Sequence, residues 1–224
     1  MQTPSNHAPN ILAQAMAACP LVAILRGLPV ADAPDIGAAV FIAGFRIIEV
    51  PLNSPSPYRS IGLIAGQHPS ALVGAGTVLS VQEVEQVRAA GGNLIISPNF
   101  NAQVVRAAVD AGMVCMPGVM TATEAFAALD AGAHALKIFP AEMATPAVIK
   151  ALRAVLPRST LLLPVGGITP LNMAAYRTAG ADGFGIGSAL YKPHQCAAIT
   201  AINATQFIAA YDRIALTMGK KHGK

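Results

Sequence analysis

Short apolar runs recur along this chain of 224 residues at a nearly constant interval, and that interval constrains the fold more than any other feature. The runs begin 20 to 26 residues apart, about the length of one strand followed by one helix. Eight such units close into a barrel, so we predict a single-domain α/β fold of the (β/α)8 TIM-barrel type. The eight runs span residues 21–26, 46–52, 72–78, 94–98, 114–119, 135–141, 161–167 and 183–190.

Alanine-rich stretches with helical spacing lie between these runs. Two of them begin with a capping-box pattern, Ser80 with Glu83 and Thr121 with Glu124. Many stretches end in Ala-Gly, where glycine can adopt the left-handed conformation that stops a helix. The glycines concerned are Gly44, Gly91, Gly112, Gly132 and Gly180. An open doubly wound sheet remains the alternative fold, because periodicity alone does not prove that a barrel closes.

The chain divides into one barrel and two short terminal segments. Residues 1–19 form an N-terminal extension that we predict to be helical, and residues 20–217 form the barrel. Within the barrel, residues 194–217 read as the final helix. Residues 218–224 form a basic C-terminal tail, and no linker or low-complexity segment interrupts the chain.

Composition limits the classes of partner. Hydrophobic residues make up 54% of the chain and charged residues 12%, as expected when helices cover buried parallel strands. Three lysines of the tail (220, 221 and 224) supply most of the net charge of +4, and no basic stripe with interleaved aromatic residues predicts nucleic-acid binding.

Three further sequence features limit the cellular location of the protein, its association with membranes and its binding of metal. Three widely spaced cysteines indicate free thiols in a reducing cytoplasm. The first residues lack a secretion signal, and the longest uncharged stretch, 60–82, is broken by proline and glycine, so we expect no membrane association. The five scattered histidines lack metal-ligand spacing, so we expect no metal.

Three charged residues interrupt strands that should be apolar. Arg26 ends the first predicted strand, Glu49 lies late in the second, and Lys137 lies inside the sixth. A buried charge is costly unless it is paired or neutralised, so we place all three at the carboxyl-terminal mouth, where barrel enzymes carry their chemistry. A structural ion pair between Glu49 and Lys137, and a surface role for Arg26, are the alternatives.

Lys137 has a specific chemical use in such a setting. Burial, or a neighbouring cation such as Arg26, lowers the pKa of a lysine, and the neutral amine can then attack a ketone. The resulting imine withdraws electrons and allows cleavage of a carbon–carbon bond. Glu49 is the one carboxylate in a predicted strand, so it is the candidate acid and base.

Glycines after the last two strands predict a phosphate site. Gly166-Gly167 precedes Ile168-Thr169-Pro170, which we expect to open a helix, and Gly187-Ser188 ends the eighth strand. Loops after strands 7 and 8 of a TIM barrel often bind phosphate through backbone N–H groups and a helix N-terminus. Ordinary turns are the alternative for these glycines. Thr77, at the end of the third strand, could hold a carboxylate or satisfy its own backbone.

Six motifs in order give the chain a family resemblance. They are AILRG at 23–27, IEVPLNSP at 48–55, GAGTV at 74–78, ALKIFPA at 135–141, PVGGITP at 164–170 and GIGSALY at 185–191. Together they resemble the 2-keto-3-deoxy-6-phosphogluconate/galactonate aldolase family.

The resemblance implies a role for each matched residue. Lys137 would form the Schiff base and Glu49 would be the general acid and base. Arg26 and Thr77 would contact the pyruvate-derived end of the substrate. The phosphate would be held by Gly167, Gly187 and Ser188. The resemblance also implies a homotrimer that needs neither metal nor organic cofactor.

Two departures favour the galactonate branch of the family. The gluconate branch typically has Thr-Leu-Arg where this chain has Pro51-Leu52-Asn53, and Thr-Gly-Gly where this chain has Val165-Gly166-Gly167. The expected reaction is cleavage of 2-dehydro-3-deoxy-6-phospho-D-galactonate to pyruvate and D-glyceraldehyde 3-phosphate. A gluconate-epimer aldolase, a non-catalytic barrel that binds phosphorylated sugar acids, and a barrel isomerase or synthase are the alternatives.

Overall fold

The computed structural model describes residues 7–219 and has an α/β fold, as predicted. Residues 1–6, and residues 220–224 of the predicted tail, lie outside the described range. The strands are β1 Leu21–Ile24, β2 Ile47–Pro51, β3 Leu72–Gly76, β4 Leu94–Ile96, β5 Val114–Met116, β6 Gly118–Val119, β7 Leu136–Ile138, β8 Leu162–Pro164 and β9 Phe184–Ile186. The α-helices are α1 His7–Ala18, α2 Ala33–Ala43, α3 Pro57–Gln67, α4 Val81–Ala89, α5 Ala102–Asp110, α6 Ala122–Asp130, α7 Pro146–Val155, α8 Met173–Thr178 and α9 Ala197–Gly219.

The strands form a curled parallel sheet in two hydrogen-bonded parts. One part has the order β5-β4-β3-β2-β1-β9 and the other has the order β6-β7-β8. An isolated parallel bridge between Val165 and Gly185 joins β8 to β9. At the opposite edge of each part, β5 and β6 are separated along the chain by Pro117 alone. The register aligns Ile24 with Glu49, and Gly118 with Lys137.

Pro117 divides the fifth predicted strand into β5 and β6. A proline has no backbone N–H to donate to a ladder, so it interrupts strand pairing. Its carbonyl still accepts a hydrogen bond from the backbone N–H of Lys137 at 3.0 Å. The strand that carries Lys137 is therefore fixed on this side despite the interruption.

Two helix starts follow the predicted capping boxes. The Ser80 side chain accepts from the backbone N–H of Glu83, while Glu83 accepts from the N–H of Ser80, and Thr121 and Glu124 repeat this arrangement. The predicted glycine stops are also confirmed, because each of these glycines has a positive φ. They are Gly44, Gly91, Gly112, Gly132 and Gly180.

Helix α1 lies at the amino ends of the strands. Its buried residues Ala8, Leu12 and Ala15 belong to the same apolar cluster as residues at or near the strand starts, including Ile47 and Leu72. The carboxyl ends of the strands are therefore left for the remaining loops.

Most strands are shorter than the predicted apolar runs, and the final helix also has different bounds. Strand β1 ends at Ile24, so Arg26 lies in the following loop, and the final helix begins at Ala197, three residues later than predicted. No helix within residues 7–219 combines the length and the apolar character that crossing a bilayer requires.

Candidate active site

Lys137 and Glu49 meet inside the curled sheet. Lys137 lies on β7 and is 6% exposed, and Glu49 lies on β2 and is 2% exposed. Both side chains line one small cavity, whose other walls are mainly apolar. The strand registers therefore bring together the two residues that the sequence selected as nucleophile and acid/base.

A glycine on the neighbouring strand makes room for the Glu49 carboxylate. Gly76 ends β3, and a Cβ built at this position would overlap the Glu49 carboxylate. Any other residue at position 76 would force the carboxylate or the strand to move. The glycine of the GAGTV motif thus has a packing reason that connects it to Glu49.

The surroundings of this pair shift both pKa values toward the neutral forms. Burial lowers the pKa of Lys137; the Glu49 charge opposes this shift and the Arg26 charge adds to it. Burial raises the pKa of Glu49, and the charges of Lys137 and Arg26 oppose this shift. Desolvation dominates in both cases, as expected for groups removed from water. The lowered pKa increases the uncharged fraction of the Lys137 amine, which is its nucleophilic form.

Lys137 and Glu49 do not form an ion pair. Within residues 7–219, the salt bridge in the structure joins Arg153 of α7 to Asp182, just before β9, at 2.5 Å. The Lys137 amine instead lies 4.9 Å from the centroid of the Phe139 ring. The alternative that the buried pair is a structural salt bridge therefore finds no support.

A larger cavity opens above Lys137 and contains most of the other predicted residues. Its volume is about 690 Å³. Arg26, Gly167, Gly187 and Ser188 line it together with Lys137. The cavity thus connects the buried amine to the loops that follow β1, β8 and β9.

The loops after β8 and β9 present free backbone donors to this cavity. Gly166 and Gly167 have φ of 109° and 61°, in the region that favours glycine. The backbone N–H groups of Gly167, Gly187 and Ser188 donate to no other described residue. Unpaired N–H groups at such loops can bind an anion such as phosphate.

The predicted helix start after β8 is wrong. We expected Ile168-Thr169-Pro170 to open a helix, but α8 begins at Met173. Asn172 forms a turn instead: its Oδ1 accepts from the N–H of Thr169 at 2.9 Å, and its Nδ2 donates to the Gly167 carbonyl at 2.8 Å. The side-chain amide of Asn172 therefore holds the glycine loop, a role that sequence patterns alone did not indicate.

Arg26 and Thr77 lie at the carboxyl ends of β1 and β3. Arg26 is exposed, and its Nη1 donates to Asn53 Oδ1 at 2.9 Å. Thr77 has a φ of 59°, which is strained for a β-branched residue, and such strain is concentrated at functional sites. Thr77 does not line the large cavity, so its contact with substrate stays a prediction.

Several residues of the cavity were missed at the sequence level, among them one aromatic and two charged residues. Phe139, Glu142 and Lys192 also line it. Phe139 stands two positions after Lys137, and this alternation in an extended segment could have indicated a shared side. The other two lie in loops without a periodic signal. The Glu142 side chain packs so closely on Gly166 that a Cβ there would collide with its carboxylate.

The part of the chain that the structure describes contains no group of three or more histidine, cysteine or acidic side chains placed to hold a metal ion.

Comparison with known proteins places the chain beside aldolases. Residues 12–206 match the family model described as KDPG and KHG aldolase. A probable 2-dehydro-3-deoxy-6-phosphogalactonate aldolase of Rhizobium meliloti (strain 1021) is 47% identical over 196 residues, covering 87% of this chain and 92% of the relative.

Two further matches show the same similarity to aldolases. A 2-dehydro-3-deoxy-6-phosphogalactonate aldolase of Escherichia coli (strain K12) is 48% identical over 193 residues, covering 86% of this chain and 94% of the relative. A solved structure of native KDPGal is 46% identical with a TM-score of 0.87, covering 88% of this chain and 96% of that one.

Proposed function

Because this chain belongs to the KDPG and KHG aldolase family, we propose that it is a class I aldolase acting through Lys137. Its substrate is 2-dehydro-3-deoxy-6-phospho-D-galactonate, the sugar acid named for the two relatives. The products are pyruvate and D-glyceraldehyde 3-phosphate. One observation carries the mechanism: a buried lysine without an ion-pair partner lies beside a buried carboxylate, below a cavity edged by glycine loops.

The reaction begins at the keto carbon of the substrate. The neutral amine of Lys137 adds to carbon 2 and gives a carbinolamine. Loss of water from the carbinolamine forms a protonated imine. Glu49 lies in the same cavity and supplies and accepts the protons that these steps require. Its raised pKa suits this work, because a carboxyl group that keeps its proton to higher pH is better able to act as an acid.

Cleavage follows from the electron demand of the imine. Removal of the proton on the carbon 4 hydroxyl breaks the bond between carbons 3 and 4, and glyceraldehyde 3-phosphate leaves. The electron pair passes through carbon 3 into the imine and gives an enamine. Protonation at carbon 3 and hydrolysis by water then release pyruvate and restore the free amine of Lys137. No electron acceptor or further reactant is required.

The two charged ends of the substrate have separate partners in this proposal. The backbone N–H groups of Gly167, Gly187 and Ser188 bind the phosphate, which is supported by their free donors along the cavity. Arg26 binds the carboxylate at the mouth, and Thr77 assists at the same end. The separation of these groups fixes carbon 2 of the substrate near the amine of Lys137.

Val165 supports the galactonate assignment over the gluconate one. It is 8% exposed and lines both the small and the large cavity. A threonine at this position could donate to a substrate hydroxyl, and a valine cannot. The cavity therefore lacks a polar group that would favour the gluconate epimer.

The proposal also covers the assembly of the molecule. The bridge between Val165 and Gly185, and the continuity of β5 with β6 through Pro117, support closure of residues 20–217 into an eight-stranded barrel, preceded by the extension at 1–19.

Homotrimer formation follows the family resemblance, and exposed apolar side chains such as Leu171, which is 93% exposed, support an interface. Three free cysteines support a cytoplasmic location.

A cleavage assay on purified protein tests the proposal. Pyruvate release from the galactonate substrate is measured for the parent protein, Lys137→Arg and Lys150→Arg. Lys150 is an exposed residue of α7 and serves as the matched control. We expect the first substitution to abolish turnover and the second to leave it unchanged. Equal activity of the parent protein and Lys137→Arg would contradict the proposal.

A further inference from the structure

The loop after β2 contacts the loop that carries Arg26. Asn53 Oδ1 accepts a hydrogen bond from Arg26 Nη1 at 2.9 Å. One residue later, Ser54 Oγ accepts from the backbone N–H of Gly27, also at 2.9 Å. Two consecutive side chains therefore hold two consecutive residues of the β1 loop, across a sequence separation of 27 positions.

Asn53 stands on an anchored turn. The N–H of Leu52 donates to the Gly76 carbonyl at 2.8 Å, and the N–H of Ser54 donates to the Pro51 carbonyl at 2.9 Å. Ser54 is itself buried, with 8% of its surface exposed. The amide of Asn53 is therefore presented from a fixed backbone that continues directly from the strand of Glu49.

Arg26 needs such a contact because its side chain is long and exposed. An unrestrained arginine must lose considerable rotamer freedom when it binds a ligand. A hydrogen bond to Asn53 uses one of the five guanidinium N–H donors and leaves the others free. Since the amide is neutral, it orients the guanidinium without cancelling its positive charge. A carboxylate at position 53 would orient it equally well, but would form an ion pair and repel an incoming anion.

We propose that Asn53 is a positioning residue, which holds the Arg26 guanidinium at the cavity mouth so that it binds the carboxylate of the keto acid. The inference rests on the proposed function, because it assumes that a keto acid binds at Lys137. Asn53 acts through Arg26 and takes no part in bond making or breaking.

Borohydride trapping at graded pyruvate concentrations tests this inference. The readout is the pyruvate concentration that gives half-maximal labelling of Lys137, together with the labelling at saturation. The variants are Asn53→Ala, Asn53→Asp, Arg26→Ala and the double substitution of Asn53 and Arg26 by alanine. Asn10→Ala is the matched control, since Asn10 is an exposed residue of α1 at the opposite end of the sheet.

We expect Asn53→Ala to raise the half-saturating concentration roughly five- to tenfold, the size of one ordinary net hydrogen bond, with unchanged labelling at saturation. Asn53→Asp should raise it further. In the Arg26→Ala background, Asn53→Ala should change the half-saturating pyruvate concentration by less than about twofold, because the effects of substitutions at coupled residues are not additive. The Asn10→Ala control should behave as the parent protein.

Three results would overturn the inference: no change in Asn53→Ala, an equal change with and without Arg26, or parental behaviour of Asn53→Asp. These results are distinct from failure of the proposed function. If the parent protein forms no adduct at any pyruvate concentration, the proposed mechanism is wrong whatever the role of Asn53.

Discussion

Lys137 lies among apolar side chains such as Ile96, Met116 and Leu163, with no carboxylate in ion-pair contact. Burying an amine in this way costs stability unless the amine loses its charge, and burial lowers the pKa of Lys137 in the required direction. The neighbouring charge of Arg26 acts in the same direction. At the scale of single residues, the surroundings of Lys137 therefore favour its uncharged form.

The charge of Arg26 leads to a prediction about the pH dependence of kcat/KM. Arg26 lowers the pKa values of both Lys137 and Glu49, so Arg26→Ala should raise both. Lys137 would then stay protonated to higher pH, and the acid limb of kcat/KM should move to higher pH. The KM should rise roughly 10- to 100-fold through loss of a charged hydrogen bond.

Steady-state kinetics across pH measures both effects, with the exposed α5 residue Arg106 changed to alanine as the control. An acid limb that stays in place, or moves to lower pH, would show that Arg26 does not control these two groups.

Val165 provides a prediction about substrate choice. Val165→Thr adds a hydroxyl to the cavity wall with little change of shape. Because a net hydrogen bond contributes about 1 kcal/mol, the ratio of kcat/KM for the gluconate epimer over the galactonate epimer should rise about fivefold. Parallel assays of the two epimers provide the measurement. A ratio that stays the same or falls would remove Val165 from the account of specificity.

The sequence allowed the buried pair of Lys137 and Glu49 to be predicted as candidate catalytic residues, but not their surroundings. Lys137 and Glu49 stood out because charged residues are rare in buried strands. Glu142 and Lys192 lie in loops, where charged residues are common, so nothing in the local pattern marked them. The contact between Arg26 and Asn53 depends on how two loops pack, which strand periodicity does not specify.

The helices and strands were largely predictable because their signals are local. A capping box occupies four consecutive residues, and a glycine stop occupies one, so both could be read without the fold. The start of α8 was mispredicted because Asn172 closes a turn over residues 169–172 ahead of the helix. Pro117 divides β5 from β6. This division depends on pairing with β4 and β7, which are distant in sequence.

The contribution of the α6 capping box to the stability of the protein can be tested. Thr121→Ala removes the side chain that accepts from the Glu124 N–H at 3.2 Å. The free energy of unfolding should fall by about 1 kcal/mol, the usual cost of losing an N-cap. Denaturant unfolding gives this value, with the exposed α9 residue Thr205 changed to alanine as the control. Equal stability of Thr121→Ala and the parent protein would mean that the box does not stabilise α6.

At the scale of the whole molecule, the two ends of the sheet have different tasks. The amino ends are covered by α1 and contain His134, whose Nδ1 accepts from the Cys115 N–H at 3.2 Å. The carboxyl ends carry the amine, the carboxylate and the free loop donors. Structural polar contacts and the proposed catalytic residues therefore lie at opposite ends of the strands, the arrangement that TIM-barrel enzymes usually have.

His134 predicts how stability depends on pH. Burial lowers its pKa below the ordinary value of 6.5, so the unfolded chain binds the proton more readily than the folded one. Stability is therefore fully present above about pH 6.5 and is lost as the pH falls toward the folded-state pKa. The buried His68, whose pKa is lowered by desolvation and by the Arg46 charge, adds to the same trend.

Denaturant unfolding between neutral and mildly acidic pH checks this trend. His134→Gln should lose less stability on acidification than the parent protein, while the same change at the exposed His194 should leave the slope unaltered. A parental slope in His134→Gln would contradict the assignment.

The central claim is that the buried amine of Lys137 bonds covalently to the keto carbon of the substrate. Borohydride reduction in the presence of saturating pyruvate, followed by peptide mass spectrometry, tests it most directly. We predict one reduced three-carbon adduct, located on Lys137 and absent when pyruvate is omitted. An adduct on another lysine, or no adduct under these conditions, would contradict the account.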